Sequence, residues 1–172
     1  MSRKILIAGR PGVGKTTLIE NVLKRLPTPA AGFFTEEIRT GGERLGFKVR
    51  DIATGREGMI AHVDYPGPLR VGRYGVALAD FEEVGVKALE DALERDAIIV
   101  IDELGKMEIL SKKFQDVVLR IFDSNKSVIA TIGAKPHPLT DAIRKRKDVK
   151  IFDVTTKNRD ELPEEIVLAM RQ

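Results

Sequence analysis

Ile5-Leu6-Ile7-Ala8-Gly9-Arg10-Pro11-Gly12-Val13-Gly14-Lys15-Thr16 is a short apolar run that passes directly into a glycine-rich turn. The unbroken apolar run marks a strand buried on both faces. The turn fits G-x-x-x-x-G-K-[ST] at each fixed position: Gly9, Gly14, Lys15 and Thr16. Glycines there let backbone N–H groups turn inward around phosphate oxygens, at a helix N-terminus whose partial positive charge adds to the attraction. In that arrangement Lys15 reaches the β- and γ-phosphates, and the Thr16 hydroxyl sits on Mg²⁺. A chance glycine-rich turn ending in a basic residue is the alternative. Against it, Leu18, Ile19, Val22, Leu23 and Leu26 recur at helical spacing after the turn, and Pro27 ends them. Lys15 is accordingly expected to be a partly exposed phosphate ligand and not a core residue.

Outward from the cradle, Phe33–Arg39, Phe47–Ile52 and Gly58–His62 read as strands, joined by turns at Thr40–Glu43 and Thr54–Glu57. A Pro/Gly loop surrounds Asp64–Pro68, and Val84, Ala88, Leu89, Ala92 and Leu93 then form a helical face. Ile98–Ile101 is the most hydrophobic run and predicts a central strand. Helices are expected over Phe114–Phe122 and Leu139–Arg144, with strands at Val128–Ile132 and Val149–Val154. Pro163 suits a first helical position, and Glu164 and Glu165 complement the dipole there. Alternating strands and helices predict an α/β fold: a mostly parallel, helix-covered sheet with an antiparallel β insert after the first helix. The length, 172 residues, predicts one domain over 1–172.

A phosphate cradle needs an acidic partner at a strand's end to hold magnesium, and Asp102 closes the Ile98–Ile101 run. Glu103 follows it, placed to polarise a water for attack on a γ-phosphate. The bland alternatives are a capping carboxylate and a solvated loop glutamate. Asp102-Glu103-Leu104-Gly105 also fits the D-x-x-G of GTPase switches. A guanine-reading N/T-K-x-D motif is missing, however: Asn125-Lys126-Ser127-Val128 and Thr156-Lys157-Asn158-Arg159 both lack the Asp. Lys106 also stands where such switches carry Gln.

Composition narrows the chemistry further. No cysteine is present, and His62 and His137 have no ligand spacing, which excludes thiolate zinc sites, cysteine nucleophiles and a histidine triad. The 29 basic and 26 acidic residues nearly cancel, so nucleic-acid contact is possible but not favoured. No apolar run approaches a membrane span of about 20 residues. The first apolar stretch is too short for a signal peptide, and a cytoplasmic protein is expected. The lack of Cys and Trp, with abundant Lys, Arg and Glu, would suit a thermophile.

Four blocks in order give the chain a resemblance that spans nearly its whole length. They are the cradle Gly9–Thr16, Gly32-Phe33-Phe34-Thr35-Glu36-Glu37-Ile38-Arg39, Val71-Gly72-Arg73-Tyr74-Gly75-Val76, and Ile99–Glu108. With the tail Asn158–Pro163, they resemble the thermophile and cancer-related nucleoside-triphosphatase family of P-loop NTPases. The resemblance implies Mg²⁺-dependent hydrolysis of nucleoside 5′-triphosphates to diphosphate and phosphate, with little choice of base. It also implies nucleotide contact across Gly9, Arg10, Pro11, Gly12, Val13, Gly14, Lys15, Thr16 and Thr17. A second contacting stretch is implied across Ile99, Val100, Ile101, Asp102, Glu103, Leu104, Gly105 and Lys106.

Several residues keep two readings. Thr35, Glu37 and Arg39 share a strand face, either as a polar array beside the phosphates or as a surface ladder. Arg73 and Tyr74 lie between glycines, on an expected mobile loop that contacts nucleotide or on plain surface. Thr131 either senses the γ-phosphate or is an ordinary strand residue. From Lys135 to Lys150, six basic residues stand against Asp141 and Asp148. That segment reads as a solvated helix end, as a lid or finger over the triphosphate, or as a nucleic-acid contact. Two rival functions remain at this point, a nucleotide or nucleoside kinase and a nucleotide-dependent RNA- or protein-binding module. Glu103 argues against the kinase, which must exclude water. The oligomeric state is not legible.

Overall fold

The first apolar run forms β1 (Lys4–Ala8), buried along its whole length. The computed structural model describes residues 3–133 and 135–172. β1 pairs in parallel with β8 (Val128–Ile132) on one side and β9 (Val149–Asp153) on the other. β8 continues in parallel to β7 (Ile98–Leu104), and β7 to β2 (Ala30–Thr40). Beyond β2, the strands β3 (Glu43–Asp51), β4 (Glu57–His62), β6 (Tyr74–Val76) and β5 (Arg70–Val71) add antiparallel. The result is a nine-stranded sheet in the order β5-β6-β4-β3-β2-β7-β8-β1-β9. The expected β insert is therefore an in-plane extension of the parallel sheet.

Strand alternation sorts the core into two layers. Ile5 and Ile7 of β1, with Ile98 and Val100 of β7, face α1 (Lys15–Lys24) and α6 (Leu162–Arg171) through Leu18, Ile19, Val22 and Ile166. Leu6, Ala8, Ile99 and Ile101 face the opposite way, onto α3 (Lys87–Leu93), α4 (Lys112–Asp123) and α5 (Pro138–Arg144). α2 (Leu78–Phe81) runs through a π-helical turn, Glu82–Val86, into α3. Phe33, Phe81 and Phe114 close this side as an aromatic triad with centroids 5.4 to 6.2 Å apart. Ser111 caps α4, accepting from the Phe114 amide at 3.0 Å. Among the described residues no helix is long and apolar enough to cross a membrane.

Gly32 shows how tightly β2 and β7 are joined. Its φ is +106, and a Cβ there would lie 2.1 Å from the Val100 carbonyl oxygen. Neither the dihedral nor the space admits a side chain. Gly32→Ala is expected to destabilise the fold by roughly 2–4 kcal/mol, within the usual range for a backbone clash. A urea titration checks this; an unchanged midpoint would mean that β2 does not approach β7 so closely.

The hairpin β5–β6 corrects one expectation. Arg73 lies in its turn and Tyr74 begins β6, so the flanking glycines belong to a tight hairpin and not to an open loop. Tyr74 is buried, its ring packs 5.3 Å from Phe47, and its hydroxyl accepts from Arg44 Nε at 3.1 Å. Arg73 bonds Glu43 at 3.2 Å. Six strand spacings separate β6 from β1, roughly 30 Å across the sheet. Within one chain that distance removes Arg73 and Tyr74 from the phosphate cradle.

Candidate functional site

The cradle lies at the carboxyl end of β1, between β8 and β9. One crossover leads from β1 towards β2, and another leads from β8 to β9 on the opposite side. Ligands of open α/β sheets bind at such switch points, outside the carboxyl ends of the strands. Gly12 and Gly14 have φ of 79 and 106. Gly14 is the N-cap of α1 in the left-handed conformation, which directs the helix start toward the turn. Arg10, Pro11, Gly12 and Thr17 are exposed around it, whereas Val13 is anchored in the core with Leu18 and Val154.

The side chains below the cradle converge on one point. Lys15 Nζ donates to the Gly9 carbonyl at 2.7 Å and the Ile132 carbonyl at 3.2 Å, so it touches the ends of β1 and β8. It also pairs with Glu103 Oε1 at 3.0 Å. These partners turn the ammonium inward and leave Lys15 only 7% exposed, which corrects the expectation of a partly exposed ligand. Thr16 Oγ1 donates to Asp102 Oδ2 at 2.7 Å. Thr131 Oγ1, on β8, donates to Asp102 Oδ1 at 2.7 Å. Thr131 therefore orients Asp102, a role that neither of its two sequence readings contained.

Asp102 is buried, and burial pushes its carboxyl above the usual range, against the pull of the Thr16 and Thr131 hydroxyls. Glu103 is different: a third of its side chain remains exposed, at the mouth of the site. Ile99, Val100 and Ile101 are wholly buried and Leu104 nearly so. They build the strand that carries the two acids and offer no side chain to a nucleotide, which narrows the implied contact stretch. Lys106 is exposed beyond the strand end.

A hydroxyl and a carboxylate held 2.7 Å apart beneath a phosphate cradle are hard oxygen donors suited to Mg²⁺. Magnesium takes few protein ligands and fills its octahedron with phosphate and water oxygens. Thr16 and Asp102 fit that demand.

Two residues near the site carried no assigned role in the sequence. Arg159, in the tail block, donates to the Val13 carbonyl at 3.4 Å and packs 3.9 Å from where a Gly14 Cβ would lie. Glu108 is buried close behind Glu103. Arg159 follows a turn ordered by Asn158, whose side chain bonds the Thr155 amide and the Asp153 carbonyl. No local signal could place it, because its contact spans most of the chain.

Other residues with two readings have local partners. Arg39 pairs with Glu37 at 2.6 Å, and Lys48 and Arg50 pair with Glu36, so this part of the insert carries a surface ladder. In the basic segment, Arg146 bonds Asp123 at 2.7 Å, Asp148 at 2.9 Å and the Phe122 carbonyl, clamping the α5–β9 link to α4. Lys150 pairs in register with Ile5, and Val149 with Lys4, at the amino end of β1. Residues 144–150 thus lie at the sheet edge opposite the cradle, and a lid from this stretch of the same chain is ruled out. His137 caps α5 and His62 caps a turn through Nδ1, so both histidines are structural.

Comparison with known proteins agrees with this geometry. The profile of a family described as NTPase matches residues 4–167. The nucleoside-triphosphatase THEP1 of Thermotoga maritima is 52% identical over 168 residues, covering 98% of this chain and 95% of that protein. The crystal structure of THEP1 from Aquifex aeolicus superposes with a TM-score of 0.89 at 39% identity, covering 98% of this chain and 99% of the other. The solution structure of a human cancer-related nucleoside triphosphatase gives 0.81 at 39% identity, over 97% and 96%. A cradle, a buried acid, an exposed acid and whole-length similarity point the same way: this chain belongs to the NTPase family that includes the THEP1 nucleoside-triphosphatases.

Proposed function

We propose that the chain, as one catalytic domain, hydrolyses nucleoside 5′-triphosphates to diphosphate and phosphate, with Mg²⁺ and broad base tolerance. The observation that carries this is the Glu103 carboxylate, held 3.0 Å from the Lys15 ammonium beside Asp102. A triphosphate seated on Gly9–Thr17 brings oxygens that compete with Glu103 for Lys15. Released from the ion pair, Glu103 accepts a proton from a water. That water's oxygen attacks the γ-phosphorus, the bond to the bridging oxygen breaks, and the diphosphate leaves. Lys15 and the amides of the cradle balance the charge on the phosphates. Magnesium, held by Thr16 and Asp102, would supply further charge neutralisation. The nucleoside triphosphate substrate favours the cytoplasm as its compartment.

Phosphate release from ATP, GTP, CTP and UTP, with and without candidate acceptors, tests the reading. Release without acceptor is expected for all four. Transfer only in the presence of an acceptor would instead make the chain a kinase, and strict dependence on RNA or a protein would make hydrolysis a timer.

Base choice follows from the missing guanine motif. No N/T-K-x-D carboxylate is available for the guanine N1 and N2 donors. kcat/KM for ATP and GTP should differ by well under the roughly 10⁴-fold that a dedicated hydrogen-bonding site imposes. Strict GTP dependence would contradict this.

A further inference from the structure

Glu108 opens a 3₁₀ turn, Glu108–Leu110, just past the end of β7. It is 7% exposed, and its Oε2 has no hydrogen-bond partner among the described residues. An apolar side chain of the same length would avoid that cost, since an unsatisfied buried polar atom destabilises a fold. Its surroundings show what the carboxyl faces. A Cβ built on Gly105 would lie 2.9 Å from Glu108 Oε2 and 3.2 Å from Glu103 Oε2. The two carboxyls therefore share the space above the Gly105 backbone, which is open because that residue has no side chain. The other Glu103 oxygen is on Lys15. Burial, with the Glu103 charge adding to it, lifts the Glu108 pKa to about 8, so near neutral pH the group is mostly a carboxylic acid with an O–H to give.

We propose that Glu108 is a positioning residue for Glu103, donating its O–H to Glu103 Oε2 and holding that carboxylate in aim once Lys15 turns to the phosphates. The inference rests on the reading of Glu103 as general base. Glu108 does not touch substrate; it limits the rotamers of the residue that does. A glutamine at 108 keeps a donor in the same place. Methionine keeps the length and the burial and removes the donor.

The test measures kcat, KM and thermal melting for Glu108→Gln, Glu108→Met, Glu103→Gln and the double variant Glu103→Gln/Glu108→Met. Glu108→Met should lose roughly 10- to 100-fold in kcat, the worth of one hydrogen bond to a charged group, with KM and melting temperature not worsened. Glu108→Gln should stay within about threefold of the parent, because the amide still donates. In the Glu103→Gln background, Glu108→Met should cost nothing more. A parental kcat for Glu108→Met beside an impaired Glu103→Gln would overturn the positioning role and leave the base intact. A parental rate for Glu103→Gln would overturn the base itself. An equal loss from Glu108→Met in both backgrounds would show a merely structural effect and also overturn the proposal. Should Glu108→Met fail to fold, Glu108→Gln decides, since a tenfold or greater kcat loss there contradicts donation.

Discussion

Lys15→Ala is expected to abolish measurable turnover while leaving a folded protein. Its ammonium joins the carbonyls of Gly9 and Ile132 to the Glu103 carboxylate, at the point where phosphate oxygens would arrive. Alanine removes the charge that balances the β- and γ-phosphates. The variant should not be neutral in stability. It strips a buried carbonyl of its donor and leaves Glu103 unpaired, though Glu103 is partly solvated and its share is discounted accordingly. A loss of roughly 1–3 kcal/mol is expected, the cost of leaving a buried acceptor unsatisfied. Circular dichroism melting and phosphate release, measured on the same sample, check both parts. A folded Lys15→Ala that hydrolyses ATP at the parental rate would remove the cradle from the mechanism.

The second large effect belongs to Glu103. Glu103→Gln keeps the size and a hydrogen-bonding end and removes the basic carboxylate. Nucleotide affinity should change little, because the cradle, Lys15, Thr16 and Asp102 remain. Hydrolysis should fall by roughly 10²–10⁴, the usual worth of a positioned general base. Asp102→Asn should separate from it. Asp102 takes hydroxyl hydrogen bonds on both oxygens, so an amide there leaves Thr16 or Thr131 facing an N–H₂ group. Nucleotide binding and its magnesium dependence should weaken together with turnover. Nucleotide titrations and phosphate release at saturation distinguish the two variants. A shared loss of affinity would mean that Glu103 holds substrate and does not act on water.

Much of the fold was legible because its signals are local. The run Ile5–Ala8, the glycines and the Leu18–Leu26 spacing each stand within a few residues, and together they locate β1, the turn and α1. The buried run Ile98–Ile101 was equally plain. What failed to show is what depends on distant partners. β5 and β6 are only two and three residues long, too short for any alternation, and Tyr74 is ordered by Arg44 and Phe47 from β3. The glycines around Arg73 and Tyr74 suggested mobility, yet a Cβ on Gly75 would strike the Tyr65 carbonyl at 2.1 Å. That glycine serves close packing.

The site divides in the same way. Lys15, Thr16, Asp102 and Glu103 could be named from residue type and spacing, since a cradle and an acid at a strand end are short patterns. The inward turn of Lys15 could not be named, because its carbonyl partner Ile132 lies on a strand distant in sequence. Thr131 met Asp102 only after β8 was inserted between β1 and β7. Glu108 carried no role in the sequence, because a glutamate is ordinarily exposed and only the turn after β7 buries this one behind Gly105. The charge of the basic segment left a solvated helix end, a lid and a nucleic-acid contact open together. The direction of β9, which carries residues 144–150 to the far edge of the sheet, depends on pairing with a strand distant in sequence.

The central claim is that water, activated by Glu103, attacks the γ-phosphorus of a bound triphosphate. It is tested most directly by turnover in water enriched in heavy oxygen, followed by mass analysis of both products. Attack at the γ-phosphorus puts one heavy oxygen into each phosphate released and none into the nucleoside diphosphate. Heavy oxygen in the diphosphate, or no phosphate formed until an acceptor is added, would contradict it.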